Sequence, residues 1–409
     1  MSALDEMPLP AALLRDSALQ HNAGAMAEYV EARGMLLAPH VKTHMSAELW
    51  RLQQQHGAVA ATVATAAQLE AMADAGTRRL LVANEMVTGA DLAVLCQVRR
   101  AGAEVMVFVD SVAGVERMDA ELARSGPDLG ALDVLIDFGV TGRRTGVRTG
   151  DEALIVAAAV AKSRMLRLRG LAGYEGILWP EPEGVRATRT AEYLDDAVTV
   201  IGRLLASGLL PASRTGSAAP DDPNDLWRGG PVASFGGSDL YPAVADRVRA
   251  AFPAEQLRVV LRSGCYLPHD HGRYRRAQQT VIAQHPLPVF QPALEVWGAV
   301  LSIPEPGLAV VGAGKRDMSY DDAPPVTILH ARDGRVRSMP EIAPVAMYDQ
   351  HSVLRVDQPY DGQPVPALAV GDLVAFGVSH PCTTFDKWRE LTVVDDDRRP
   401  LSRVLTLFH

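Results

Sequence analysis

The stretch with the most chemical character is Ala38-Pro39-His40-Val41-Lys42-Thr43-His44. It follows Gly34-Met35-Leu36-Leu37, an apolar run of the length a buried strand needs, and the proline ends regular pairing. One lysine is thus delivered where a strand hands over to a loop, the rim on which α/β barrels do chemistry. Among apolar neighbours its ammonium form is disfavoured, and the free amine becomes a nucleophile able to form a Schiff base with a carbonyl cofactor such as pyridoxal phosphate. On this stretch alone a surface lysine in a turn is the better fit, because lysine is common. A second stretch tips the balance: Ser379-His380-Pro381-Cys382-Thr383-Thr384-Phe385-Asp386-Lys387-Trp388. A His and a Cys two apart on an extended segment point to one face and reach one ion. Imidazole plus thiolate favours zinc over magnesium or calcium.

The elements that must position these groups alternate. Strand-like runs at Ala11–Leu14, Met35–Ala38, Ala58–Val63, Arg79–Ala83, Glu104–Val109, Leu132–Asp137, Leu168–Tyr174, Val232–Phe235 and Leu257–Leu261 are separated by segments of helical periodicity. Units of this kind predict a parallel sheet, and about eight of them predict a (β/α)8 TIM-type barrel. No G-x-G-x-x-G follows a first strand, which counts against an open dinucleotide-binding sheet. After about Arg276 the texture changes. Short runs such as Thr280–Ala283, Leu294–Ser302, Val326–Leu329 and Leu373–Phe376 are separated by Pro, Gly and Asp, which predicts a smaller, mostly antiparallel β domain. The expected division is 1–276 for the barrel and 277–409 for the β domain. The polar stretch Pro211–Pro231 reads as a tolerated insertion in preference to a mobile lid, with Trp227 as an apolar anchor that could dock elsewhere.

A net charge of −9 argues against nucleic acid or an acidic membrane surface as a partner. No apolar run is long enough to span a bilayer, and no basic-then-apolar leader opens the chain. Three scattered cysteines, Cys96, Cys265 and Cys382, suit a reducing cytoplasm.

Two glycine stretches could bring backbone N–H groups to a phosphate. Phe235-Gly236-Gly237-Ser238 ends a strand before a helix, and Arg262-Ser263-Gly264-Cys265-Tyr266 follows the last barrel strand. Further candidates near a metal are His351 and the run His269-Asp270-His271.

Together the Pro-His-x-Lys-Thr motif at Lys42 and the His-x-Cys pair at His380 and Cys382 resemble the D-serine dehydratase and D-threonine aldolase family of pyridoxal phosphate enzymes, in the alanine-racemase-like (fold-type III) group. The resemblance runs from about Pro10 to the C-terminus. It implies that Lys42 carries the cofactor and takes the α-proton. It implies a phosphate cradle of Gly236, Gly237, Ser238, Gly264 and Cys265, with Arg262 facing the pyridine nitrogen. Arg144, in Asp137-Phe-Gly-Val-Thr-Gly-Arg-Arg-Thr-Gly146, matches the arginine that bonds the cofactor's phenolate oxygen, with Arg143 as the alternative. Tyr174 matches a tyrosine near the cofactor. The His-x-Cys version is similar to the zinc-dependent dehydratases, and a His-x-Asp version, with manganese-type metals, to the aldolases. The implied reaction is β-elimination from D-serine or a related β-hydroxy D-amino acid to a 2-oxo acid and ammonia. The alternative is aldol cleavage to glycine and an aldehyde. The family's usual lysine after the second histidine is Met45 here, which leaves the side chain of the substrate open. A homodimer is expected.

Overall fold

The computed structural model describes residues 4, 7–210, 226–227, 230–282, 289–357 and 359–408. Two compact units divide the chain. One comprises Ala27–Lys42 and Gln53–Gly264, the other Met1–Met26, Thr43–Leu52 and Cys265–His409.

Strand β1 (Ala11–Arg15) belongs to the second unit, and β2 to β9 build the first. These are β2 (Leu36–Leu37), β3 (Ala61–Val63), β4 (Arg79–Glu85), β5 (Glu104–Val109), β6 (Leu132–Phe138), β7 (Leu166–Gly173), β8 (Val232–Phe235) and β9 (Arg258–Leu261). All pairings between them are parallel, in the order β2-β9-β8-β7-β6-β5-β4-β3. The two ends of that order meet. The Val59 and Thr62 amides donate to the Leu37 and Pro39 carbonyls at 2.8 and 2.9 Å, and His40 forms a parallel bridge with Thr62. The sheet therefore closes on itself, which leaves no unpaired edge.

Helices start where hydroxyl caps stand. Thr65, Thr88, Ser111 and Thr149 each accept an amide of the first turn, and Thr149 completes a capping box with Glu152. Inside the sheet, Leu81, Met106, Leu135, Ala172, Val232 and Val260 form one buried cluster with Leu226 and Trp227. Trp227, expected to anchor the polar insertion, is thus part of the barrel core. Its carbonyl accepts from the fully buried Arg169, which also pairs with Asp133 at 2.7 Å. The rest of that insertion, 211–225 and 228–229, lies outside the described residues.

The second unit adds β10 (Leu294–Glu305), β11 (Leu308–Val311), β12 (Val326–Arg332), β13 (Arg335–Ser338), β14 (Ala346–Met347), β15 (Ser352–Arg355), β16 (Leu373–Gly377), β17 (Glu390–Val394) and β18 (Pro400–Leu405). Its main order is β13-β12-β16-β10-β1-β17-β18, with only the β1–β17 pair parallel. The run at Ala11–Leu14 is therefore no barrel strand. It pairs with β10 and β17, and the eight remaining runs make the barrel. The strand expected at Thr280–Ala283 is also corrected. Residues Arg273–Ile282 form a helix, rich in Arg and Gln, with Tyr274 and Ala277 buried at helical spacing; Ala283 is outside the described residues. No helix among the described residues is long and apolar enough to cross a membrane.

Candidate active site

Lys42 lies half-buried in a single 3-10 turn, Val41–Thr43, directly after β2. His40 carries a buried Nδ1 with no hydrogen-bond partner among the described residues. Burial first, then the charges of Lys42, Arg262 and Arg144, push its pKa well below the usual histidine range. Three cations thus gather about one neutral, buried ring, with the carboxylates of Asp137 and Glu175 acting in turn on Arg262.

Arg262 follows β9 and is buried. Its guanidinium donates to the Ser234 carbonyl, to Ser234 Oγ at 2.7 Å and to the Gly173 carbonyl at 2.6 Å. These bonds to β7 and β8 fix its orientation at the strand ends. Burial works to lower its pKa, and Glu175 and Asp137 oppose that.

Glu175 is the residue that sequence reasoning missed. Fully buried, its two oxygens accept the amides of Gly236 and Gly237 at 3.1 and 2.6 Å. The glycine loop expected to cradle a phosphate does hold an anionic group, but the group is a protein carboxylate. Burial raises the Glu175 pKa, and the three backbone bonds, from Gly236, Gly237 and its own segment, work the other way. The clue in the sequence is an acidic residue enclosed by Gly173-Tyr174 and Gly176 immediately after an apolar strand.

Tyr174 lies across this same loop. A Cβ on Gly237 would stand 2.3 Å from Tyr174 Cε2, and Gly236 has φ of +87°, so both positions call for glycine. The Arg144 guanidinium sits 4.9 Å from the centre of the Tyr174 ring. Arg143 instead pairs with Glu181 at 2.7 Å. Of the two arginines, the geometry joins Arg144 to Tyr174. The loop carrying Arg144 is itself tied down. Thr145 donates to Asp137 at 2.9 Å, the Gly146 amide to Asp110 at 3.1 Å, and Arg148 caps the carbonyls of Arg144, Thr145 and Gly146. Beside it Glu85 has both oxygens buried, and burial, then Asp137 and Asp110, raise its pKa to about 7.

In the second unit, His380 and Cys382 do not share an extended segment, contrary to the expectation from their spacing. His380 is extended (φ −151°, ψ 107°) and caps a five-residue helix, Pro381–Phe385, in whose first turn Cys382 stands. The proline at the first helical position favours that turn. His380 Nδ1 meets Asp321 Oδ2 at 2.8 Å, and Asp321 also accepts from Thr383 at 2.9 Å. The carboxylate thereby fixes the ring orientation from its Nδ1 side, leaving Nε2 as the nitrogen turned away from Asp321. Cys382 Sγ is 3.3 Å from Cys265 Sγ, and Thr43 Oγ1 lies 3.5 and 3.4 Å from the two sulfurs.

Of the other metal candidates, His351 is exposed, and His269, Asp270 and His271 lie in the interior. Asp270 Oδ1 accepts the amides of Gly272, Tyr274 and Arg275, a cap for the helix that follows. Among the described residues no three His, Cys, Asp or Glu side chains converge on a metal position. Met45 is fully buried, and its carbonyl accepts the Leu407 amide at 2.7 Å, so its side chain packs in the interior.

The alanine racemase N-terminal domain model matches residues 15–220, and the putative serine dehydratase domain model matches residues 293–394. The chain belongs to the alanine-racemase-like family of D-serine dehydratases and D-threonine aldolases. This family consists of pyridoxal phosphate enzymes of D-amino acid chemistry. The chain is 27% identical to the 3-hydroxy-D-aspartate aldolase of Paracoccus denitrificans (strain Pd 1222), over 85% of this chain and 80% of the relative. It is 31% identical to the D-threo-3-hydroxyaspartate dehydratase of Delftia sp. (strain HT23), over 45% of this chain and 48% of the relative. In fold it is similar to the crystal structure of D-threonine aldolase from Filomicrobium marinum, with a TM-score of 0.77 and 23% identity over 99% of this chain and 96% of that one.

Proposed function

We propose that this chain is a pyridoxal phosphate- and zinc-dependent dehydratase of D-serine or a related β-hydroxy D-amino acid, releasing a 2-oxo acid and ammonia. The observation that carries the reading is the donor pair itself: an imidazole whose Nδ1 is held by Asp321, and a thiol two residues on. Nitrogen plus thiolate selects zinc, and two protein ligands leave positions open for a substrate oxygen, as a catalytic rather than a closed structural site requires.

Pyridoxal phosphate, when bound, supplies an electron sink for the α-carbon, and zinc supplies Lewis acidity toward the β-hydroxyl. The chain's own residues do the rest. Lys42 would hold the cofactor, and its amine would take the α-proton. Arg262, locked by Ser234 and Gly173, would present a cation to the pyridine nitrogen of a bound cofactor and so limit its protonation. Arg144 and Tyr174 bound the cofactor's phenolate side. The Gly236 and Gly237 amides, which donate to no phosphate while bound to Glu175, would have to exchange that carboxylate for the phosphate to serve as its cradle. We further place the enzyme in the cytoplasm, in keeping with three cysteines that form no disulfide, and take it to be a homodimer.

The second reading is aldol cleavage of the same substrate class. It is favoured by a relative that matches 85% of the chain and is named an aldolase. There the β-hydroxyl loses its proton and the Cα–Cβ bond breaks.

Lys42→Ala tests the anchor. The variant should lose the cofactor's visible absorbance and should yield no lysine labelled by borohydride reduction. A variant that keeps a reducible chromophore would exclude Lys42.

A further inference from the structure

The described cysteines outside the barrel helices are two, and they face each other. Cys265 Sγ and Cys382 Sγ stand 3.3 Å apart, and Thr43 Oγ1 touches both at 3.4 and 3.5 Å. A disulfide bond is about 2 Å long, so the two sulfurs already stand within van der Waals contact, a short approach from bonding distance. Cys265 is buried, whereas Cys382 is partly open to solvent. Cys96, the remaining thiol, is buried against a different set of neighbours in the other unit.

We propose that this pair is an oxidation-sensitive thiol site: peroxide converts Cys382 and Cys265 to a disulfide, and that bond withdraws Cys382 from metal binding. The oxidant meets Cys382 first. Its sulfur attacks hydrogen peroxide, breaking the O–O bond, and one water leaves as the sulfenic acid forms. The Cys265 sulfur then attacks the Cys382 sulfur, the S–O bond breaks, and a second water leaves. Two thiols are oxidised, and one peroxide is reduced to two waters. A dithiol reverses the change by exchange. Cys265 thus acts as the resolving cysteine. It spares Cys382 the further, irreversible steps to sulfinic and sulfonic acid. The first half of the proposal stands on geometry alone. The second half rests on Cys382 being a metal ligand, as in the function proposed above.

The test uses the full chain stripped of metal by a chelator, treated with stoichiometric hydrogen peroxide and digested without reduction for mass spectrometry. The expected result is a peptide carrying Cys265 cross-linked to Cys382, a fall in titratable thiols from three to one, and full recovery with dithiothreitol. In Cys265→Ser the cross-link is absent and Cys382 proceeds to sulfinic acid. Should that variant not fold, the cross-linked peptide of the unaltered chain and its reversal still decide. Three thiols surviving treatment, or Cys382 reaching sulfinic acid in the unaltered chain with no cross-link, would overturn the proposal. Zinc titration of the cross-linked chain gives the second arm, with loss of binding as the expected result and unchanged binding overturning the withdrawal of Cys382. If Cys382→Ser binds zinc as well as the unaltered chain, the metal-ligand reading fails whether or not the cross-link forms.

Discussion

Asp321 holds His380 by its Nδ1 at 2.8 Å while accepting from the Thr383 hydroxyl at 2.9 Å, so one carboxylate fixes the ring that precedes Cys382. Burial works to raise the Asp321 pKa, yet its bond and charge interaction with His380 and the bond from Thr383 outweigh that and hold it below the usual carboxylate value. Asp321→Ala should lower zinc affinity by about 10–100-fold, the range for such supporting carboxylates. Zinc titration against a competing chelator checks it, with pyridoxal phosphate binding unchanged. An unaltered zinc affinity would mean that His380 needs no such support.

Gly237 has no room for a methyl group because Tyr174 occupies that space. Gly237→Ala should push the ring aside, cost about 1–3 kcal/mol of stability and weaken cofactor binding together with it. Thermal unfolding and a cofactor titration measure the two effects. If both were unchanged, the packing of Tyr174 on this loop would be dispensable.

Glu85 supplies a pH test. Burial, then Asp137 and Asp110, raise its pKa to about 7, above its unfolded value. The neutral form is therefore the one the fold prefers. The associated stability is fully present below the unfolded carboxylate value and is lost as pH rises through about 7. Glu85→Gln removes this loss, so the variant should gain on the parent above pH 7 by an amount on the order of 2 kcal/mol, and should match it more closely near pH 4. Denaturant midpoints across that range decide. A constant difference at all pH values would contradict the assignment.

The barrel was legible because its eight strands and the helices between them carry local apolar patterns. The place of β1 was not, because its partners β10 and β17 lie about 280 and 380 residues away and no local pattern encodes that pairing. Lys42 and His380 stand out by residue type and motif. Their supporting groups do not. Asp321 lies 59 residues from His380, and Glu175 61 residues from Gly236, and only the fold brings such pairs together. The five-residue helix at Pro381–Phe385 is too short to leave a periodic signal, so the spacing of His380 and Cys382 read as a strand.

The most direct measurement is a product assay with purified protein, added pyridoxal phosphate and zinc, and D-serine, D-threonine and D-threo-3-hydroxyaspartate as substrates, with and without a chelator. The account predicts 2-oxo acid and ammonia in equal amounts, abolished by the chelator and restored by zinc. Glycine with an aldehyde, or 2-oxo acid formation indifferent to the chelator, would contradict it.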